Sequence, residues 1–200
     1  MMACEKTLPI IDGHEYVDLG LPSGTLWATM NLDAANVYDI GLYYRWGEVI
    51  GFTTGNTSKY KWGDRNNSTK YNNTDELAEL ELEDDAVHVN WGGGWVMPTK
   101  SQLAELVSTS NTTRSRVTNY LGSGVNGYIY KSKINNKEIF FPDCGEYVGA
   151  TKYNETKVYT WTKTRDTNVL AWTFSDNGTG TKYEMRIYFL GMRGVYNINI

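Results

Sequence analysis

Few residues of this chain could perform covalent chemistry, and none stands in a pattern that would let it. His14 and His88 are the two imidazoles. Neither lies in a recognisable arrangement of nucleophile, base and orienting group. Cys4 and Cys144 are the two cysteines. Two thiols exclude a disulfide framework and leave a single bridge open. Cys144 sits in Pro142-Asp143-Cys144-Gly145, where a buried small hydrophobe is expected rather than a reactive thiol. Glu79, Glu81, Glu83, Asp84 and Asp85 form an acidic run that could gather a hard cation. A solvated face near a helix N-terminal turn is the expected reading, so no metal is assigned. Gly92-Gly93-Gly94 is no phosphate loop, because no Lys-Ser/Thr follows it. No motif picks out a carboxylate pair for glycoside hydrolysis. Catalytic residues, metal ligands and cofactors are all expected to be none.

The chemistry that remains is recognition. Lys163, Arg165, Asp166, Asn168, Trp172, Asp176, Asn177, Lys182, Tyr183, Arg186 and Tyr188 form a C-terminal set that is expected to supply much of one exposed, ligand-contacting surface. Tyr, Trp and Arg give large contact area at limited entropy cost, and Asn, Ser and Thr give adaptable hydrogen bonds. A solvated strand-and-loop surface is the other reading. Side chains alternate along a strand, so some of the set are expected in the core.

Such a surface needs a scaffold, and 200 residues suit one domain with a sizeable core. Residues 1–14 are expected to be a flexible leader and residues 15–200 the domain. Gly and the aromatics are abundant while Pro is scarce, which points to a loop-rich, strand-rich chain. The net charge is −4 and the basic residues are scattered, so no nucleic-acid footprint is present. No apolar run approaches the roughly 18 residues that span a bilayer. Met2-Ala3-Cys4 resembles the cleavage end of a bacterial lipoprotein signal without its apolar stretch. An ordinary disordered leader, a trimmed start and export by another route, such as a phage particle, all stay open.

Turn and periodicity signals then place the elements. Strands are expected over 15–19 and 25–31, joined at Pro22-Ser23-Gly24. Residues 51–75 read as a long polar loop pinned by Tyr60, Trp62 and Tyr71. A helix is predicted over 76–89, with Leu77, Leu80, Ala86 and Val89 inward. A second runs from Thr99 to about Ser108, because Thr99 and Gln102 can form a capping box. A hairpin is expected about Asn135-Asn136, and later strands over 158–163, 169–174, 183–189 and 191–196.

Three segments carry a family resemblance: Asp18-Leu19-Gly20-Leu21-Pro22-Ser23-Gly24-Thr25-Leu26-Trp27-Ala28, then Trp91-Gly92-Gly93-Gly94-Trp95-Val96-Met97-Pro98-Thr99, then Gly191-Met192-Arg193-Gly194-Val195. With Tyr43-Tyr44-Arg45-Trp46-Gly47-Glu48 and Trp161-Thr162-Lys163-Thr164, they resemble the C-type-lectin-like domains of the formylglycine-generating-enzyme-like superfamily in gut bacteria and phages. The resemblance implies an α+β fold, with two main helices on a small, twisted, mostly antiparallel sheet. It also implies adjacent N- and C-terminal strands and burial of Trp27, Trp46, Trp91, Trp95 and Trp161. The enzymes of the superfamily use two closely spaced C-terminal cysteines, and no cysteine follows Cys144. Their chemistry is therefore not expected. Calcium-dependent lectins carry Glu-Pro-Asn or Gln-Pro-Asp and then Trp-Asn-Asp, and neither occurs. Some members are variable proteins of diversity-generating retroelements, and the 191–195 tail resembles that of phage major tropism determinants. The resemblance thus implies a non-catalytic display or receptor-binding domain on a virion or bacterial cell surface, meeting a protein or glycan on a target cell. The alternatives are a formylglycine-enzyme-like or carbohydrate-active enzyme, and a structural domain of an adhesin or fimbria.

Overall fold

The structure, a computed structural model, describes residues 8–175 and 180–198. In chain order the strands are β1 (Ile10–Ile11), β2 (His14–Asp18), β3 (Leu26–Asn31), β4 (Trp95–Val96), β5 (Thr112–Val117), β6 (Gly127–Ser132), β7 (Glu138–Pro142), β8 (Glu146–Val148), β9 (Thr151–Tyr153), β10 (Tyr159–Arg165), β11 (Leu170–Ser175), β12 (Gly180–Met185) and β13 (Arg193–Tyr196). Helix α1 (Ala86–Trp91) precedes β4 and helix α2 (Lys100–Val107) follows it. The strands form four antiparallel sheets, in the orders β1-β2-β3-β13-β4, β5-β6-β7, β8-β9 and β10-β11-β12.

This corrects the expected fold class. The domain is mostly β, and its helices are only six and eight residues long. The described residues form no two-helix layer on one small sheet. The reason lies in residues 76–81, where a helix was expected. Leu80 N–H instead donates to Lys163 O at 3.0 Å, and Arg165 N–H donates to Ala78 O at 2.8 Å. The segment runs extended beside β10; a single 3-10 turn follows at Leu82–Asp84, and the α-helix begins only after Asp85. That side chain caps α1 through Val87 N and His88 N, each at 3.0 Å, and its other oxygen takes Met97 N at 2.9 Å. Val89, expected inward, is exposed. The second helix forms where Thr99 and Gln102 close their capping box.

The sheet also begins inside the stretch read as a leader, for Ile10 and Ile11 pair with Glu15 and His14. β2 and β3 are joined through a turn in which Asp18 accepts Gly20 N–H at 2.7 Å. β13 then inserts between β3 and β4, with Val195 opposite both Trp27 and Val96. The three resemblance segments thus meet in one sheet, which the C-terminal strand β13 shares with the N-terminal strands by pairing with β3. Gly194 has no Cβ because the Trp91 ring lies against that position. Trp27, Trp46, Trp95 and Trp161 are buried. Trp91 is only half-buried and stacks on His14 at 4.1 Å.

Buried arginine ties this sheet to its neighbours. The Arg193 guanidinium is wholly buried and, among the described residues, pairs with no carboxylate. It donates to Asn31 Oδ1 at 2.7 Å and to the carbonyls of Ala28 (2.9 Å), Thr29 (2.8 Å) and Phe140 (3.1 Å). Its Cζ lies 4.5 Å from the Phe141 ring centroid. Burial pushes its pKa down to about 9, still above neutral pH, and four acceptors favour the charged form.

The loop over 51–75 is pinned as expected. Tyr60 and Tyr71 are buried, and Trp62 Nε1 donates to Gly47 O at 2.8 Å. Arg45 holds the loop through Ser58 O at 2.7 Å while paired with Glu48 at 2.8 Å.

Candidate functional site

Five of the eleven expected contact residues, Lys163, Arg165, Trp172, Lys182 and Tyr183, fall on the three-stranded sheet β10-β11-β12. Trp172 stands directly opposite Tyr183, and Leu170 opposite Met185. Alternation puts these four on one face. Ala171, Thr173 and Ser175 take the other face and are buried, opposite Glu184, Lys182 and Gly180 respectively.

The first face has the makings of a contact surface. Tyr183 is 50% exposed. Its ring meets Trp172 edge-on, with centroids 5.9 Å apart and planes at 90°. Lys100, the first residue of α2, sets its Nζ 3.2 Å from the Trp172 ring centroid. Lys100 N–H also donates to Thr164 Oγ1 at 3.0 Å, which locks the helix start to β10. Cross-strand aromatic pairing and the cation over the indole hold Trp172 in one orientation. Lys100 was not legible as a site residue. The Thr99 cap placed it at a helix start, but no local signal linked it to Trp172.

The other expected residues scatter. Lys163 pairs with Glu79 at 3.5 Å. Arg165 Nη1 donates to Asn73 Oδ1 at 3.4 Å, and Asn168 Oδ1 accepts Asn73 N–H at 3.0 Å. These three attach the sheet to residues 73–79. Asp166 is half-buried, and its N–H donates to Leu170 O at 3.0 Å. Tyr188 is half-buried against the core. Lys182 lies on the opposite sheet face, paired with Glu184. Asp176 and Asn177 lie outside the described residues.

Arg186 is not a surface residue at all, which corrects its place in the expected set. It is 1% exposed. Its guanidinium donates to Tyr71 O at 2.8 Å, to Ser68 Oγ at 3.2 Å and to Thr167 O, and lies 4.4 Å from the Trp46 ring centroid. Burial pushes its pKa down to about 10. It anchors the long loop.

The groups that could have done chemistry have structural partners. Cys144 is free and buried, and Tyr159 N–H donates to its Sγ at 3.1 Å. Burial pushes the thiol up to about 12, far from thiolate reactivity. His88 Nδ1 lies 3.2 Å from Trp95 O. Glu81, Glu83 and Asp84 bring carboxylate oxygens within 4.8 Å of one another, but Lys70 sits among them. Its Nζ is 2.6 Å from Glu81, 3.4 Å from Glu83 and 2.7 Å from Asp84. Lys61 reaches Asp84 at 2.8 Å from the other side. An ammonium group thus takes the position a cation would need. Glu146 is buried, its Oε1 accepting from Asn154 Nδ2 at 2.7 Å, while its Oε2 accepts no hydrogen bond from the described residues. Burial raises its carboxyl, and nearby Glu184 adds to that rise.

No helix among the described residues is long and apolar enough to cross a membrane. Comparison with protein-family models, with characterised proteins and with solved structures returns no match for this chain.

Proposed function

We propose that this chain is a non-catalytic ligand-binding domain whose contact surface is built around Trp172 and Tyr183. The observation that carries the reading is the cross-strand aromatic pair, with Tyr183 exposed and Trp172 half-buried, the indole held by the Lys100 ammonium over its ring. Rigid aromatic side chains bury much area on binding and lose little freedom, so they favour recognition. The partner is a protein or glycan on a target cell, and the setting is a virion or a bacterial cell surface. The resemblance to ligand-display domains supports this. So does the separation of parts, since the three resemblance segments build one sheet and the aromatic pair stands on another.

The same resemblance supports retroelement diversification of the C-terminal region. A non-coding repeat of the segment around 159–195, differing almost only at adenines and lying beside a reverse-transcriptase gene, is the expected genomic sign. The functional test is attachment. Trp172→Ala with Tyr183→Ala should abolish attachment to the native target while the fold is retained by circular dichroism. Unchanged attachment by that folded double variant would refute the surface assignment.

A further inference from the structure

A second recognition feature lies in the long loop, at a place the C-terminal set does not include. Residues from 56–65, with Arg45, Gly149 and Ile187, line an open groove of about 340 Å³. Its base is rigid. Tyr60 is buried and its hydroxyl donates to Trp46 O at 2.6 Å. Arg45 beneath it is neutralised by Glu48 and bonded to Ser58 O and Lys59 O. The volume is at the lower end of the roughly 300–1,000 Å³ of ligand clefts, a size for one small ring rather than a chain.

The charges on this groove are unbalanced. Lys59 and Arg65 stand exposed on its rim. Among the described residues neither lies in an ion pair, and the contact of the Arg65 guanidinium is Met185 Sδ at 3.7 Å. Asp64 is the one carboxylate of the lining, and its Oδ1 is already taken by Asn66 N–H at 2.7 Å and Asn67 N–H at 3.0 Å. Two exposed cations outside any ion pair among the described residues therefore line a groove whose one carboxylate, Asp64, has an oxygen already engaged, in a chain whose net charge is −4. Unpaired guanidinium is suited to bidentate capture of a carboxylate. The wall adds neutral polar groups. Asn56 spends its Oδ1 on Ser58, at 2.9 Å to the N–H and 2.6 Å to Oγ, which leaves its amide N–H₂ to donate. Thr57 beside it is exposed. Such groups match the hydroxyls of a sugar ring.

We propose that this groove binds an acidic monosaccharide unit, its carboxylate held by Arg65 and Lys59 and its hydroxyls by the Asn56–Ser58 wall. The site does not depend on the aromatic pair. Titration of the full chain with glucuronate, glucose, acetate and an acidic tripeptide, read by ligand-observed NMR, tests it. Glucuronate should bind saturably, with a Kd on the order of 1 mM, and glucose about tenfold more weakly. Arg65→Ala combined with Lys59→Ala should remove that difference without lowering Tm, since both side chains are exposed. Trp172→Ala should leave glucuronate binding unchanged. The proposal is overturned if glucuronate shows no saturable binding, if glucose, acetate or the acidic peptide binds as well, or if the double variant keeps the preference. Loss of glucuronate binding in Trp172→Ala would likewise overturn it, by moving the site to the aromatic pair.

Discussion

Replacing Arg193 by Met is the sharpest test of how the fold is closed. Methionine keeps the unbranched stem out to the position of Nε and removes the guanidinium carbon and every donor. Four acceptors then lose their partner: Asn31 Oδ1 and the carbonyls of Ala28, Thr29 and Phe140. Hydrogen bonds to a charged group contribute about 1.5–3 kcal/mol each, so the gross loss is roughly 6–12 kcal/mol. Against this stands the desolvation of the guanidinium, several kcal/mol, which the substitution relieves. The net destabilisation should be about 3–5 kcal/mol, a large part of the roughly 5–15 kcal/mol that holds a domain together. Arg193→Lys keeps the charge but not the planar fork, and three carbonyls on two different strands and β3's Asn31 cannot all be met by one ammonium. It should fall between wild type and the Met variant. Guanidinium chloride unfolding followed by tryptophan fluorescence reads both, as a lower midpoint with an unchanged slope. A Met variant within about 1 kcal/mol of wild type would refute the reasoning, because the orphaned carbonyls would then have found other donors.

Two further substitutions have opposite pH signatures. Burial alone would raise the Asp84 carboxyl, but Lys61, Lys70 and Tyr71 outweigh it and hold the group below its ordinary 3.8. Its stabilisation is therefore present above that pH and is lost as pH falls through the lower folded value. Asp84→Asn should cost about 2 kcal/mol at pH 7, and the gap to wild type should close in acid-titrated thermal melts. Glu146 behaves the other way, since its folded pKa lies above the ordinary 4.5. Its stability is full below 4.5 and is lost as pH rises through the folded value. Glu146→Gln should be more stable than wild type by about 1 kcal/mol at pH 7 and equal to it in acid; a less stable Gln variant at pH 7 would show that Oε2 is solvated.

What could be read in advance was local or carried by resemblance. The Thr99–Gln102 capping box acts within four residues, and Asn136 takes the positive φ that its hairpin needs. The joining of N-terminal and C-terminal strands in one sheet followed from the three resembling segments. Of the helix expected over 76–89, residues 86–89 do lie in α1, while 76–81 were misread because the period of Leu77, Leu80 and Ala86 fits a continuous helix equally well. What overrides it is a backbone bond between Leu80 and Lys163, which no local pattern encodes. Arg186 was misread for the same reason: its carbonyl partner at Tyr71 is 115 positions away. An arginine in a polar stretch looks exposed until its acceptors are known. Lys100, Arg65 and Lys59 escaped notice because a surface cation acquires meaning only from what the fold sets beside it.

Arg45, Arg186 and Arg193 share one feature: each binds main-chain carbonyls from segments distant in the chain. They serve as internal clips for irregular backbone, the role that a cystine or a bound calcium ion plays in many loop-rich domains. A guanidinium clip needs no oxidant to close it and no metal to load it. Its strength is therefore indifferent to redox potential and to chelators. The same clips form in a reducing cytoplasm and in an oxidising exterior, so segments held this way can be in place before the protein reaches the surroundings in which it acts.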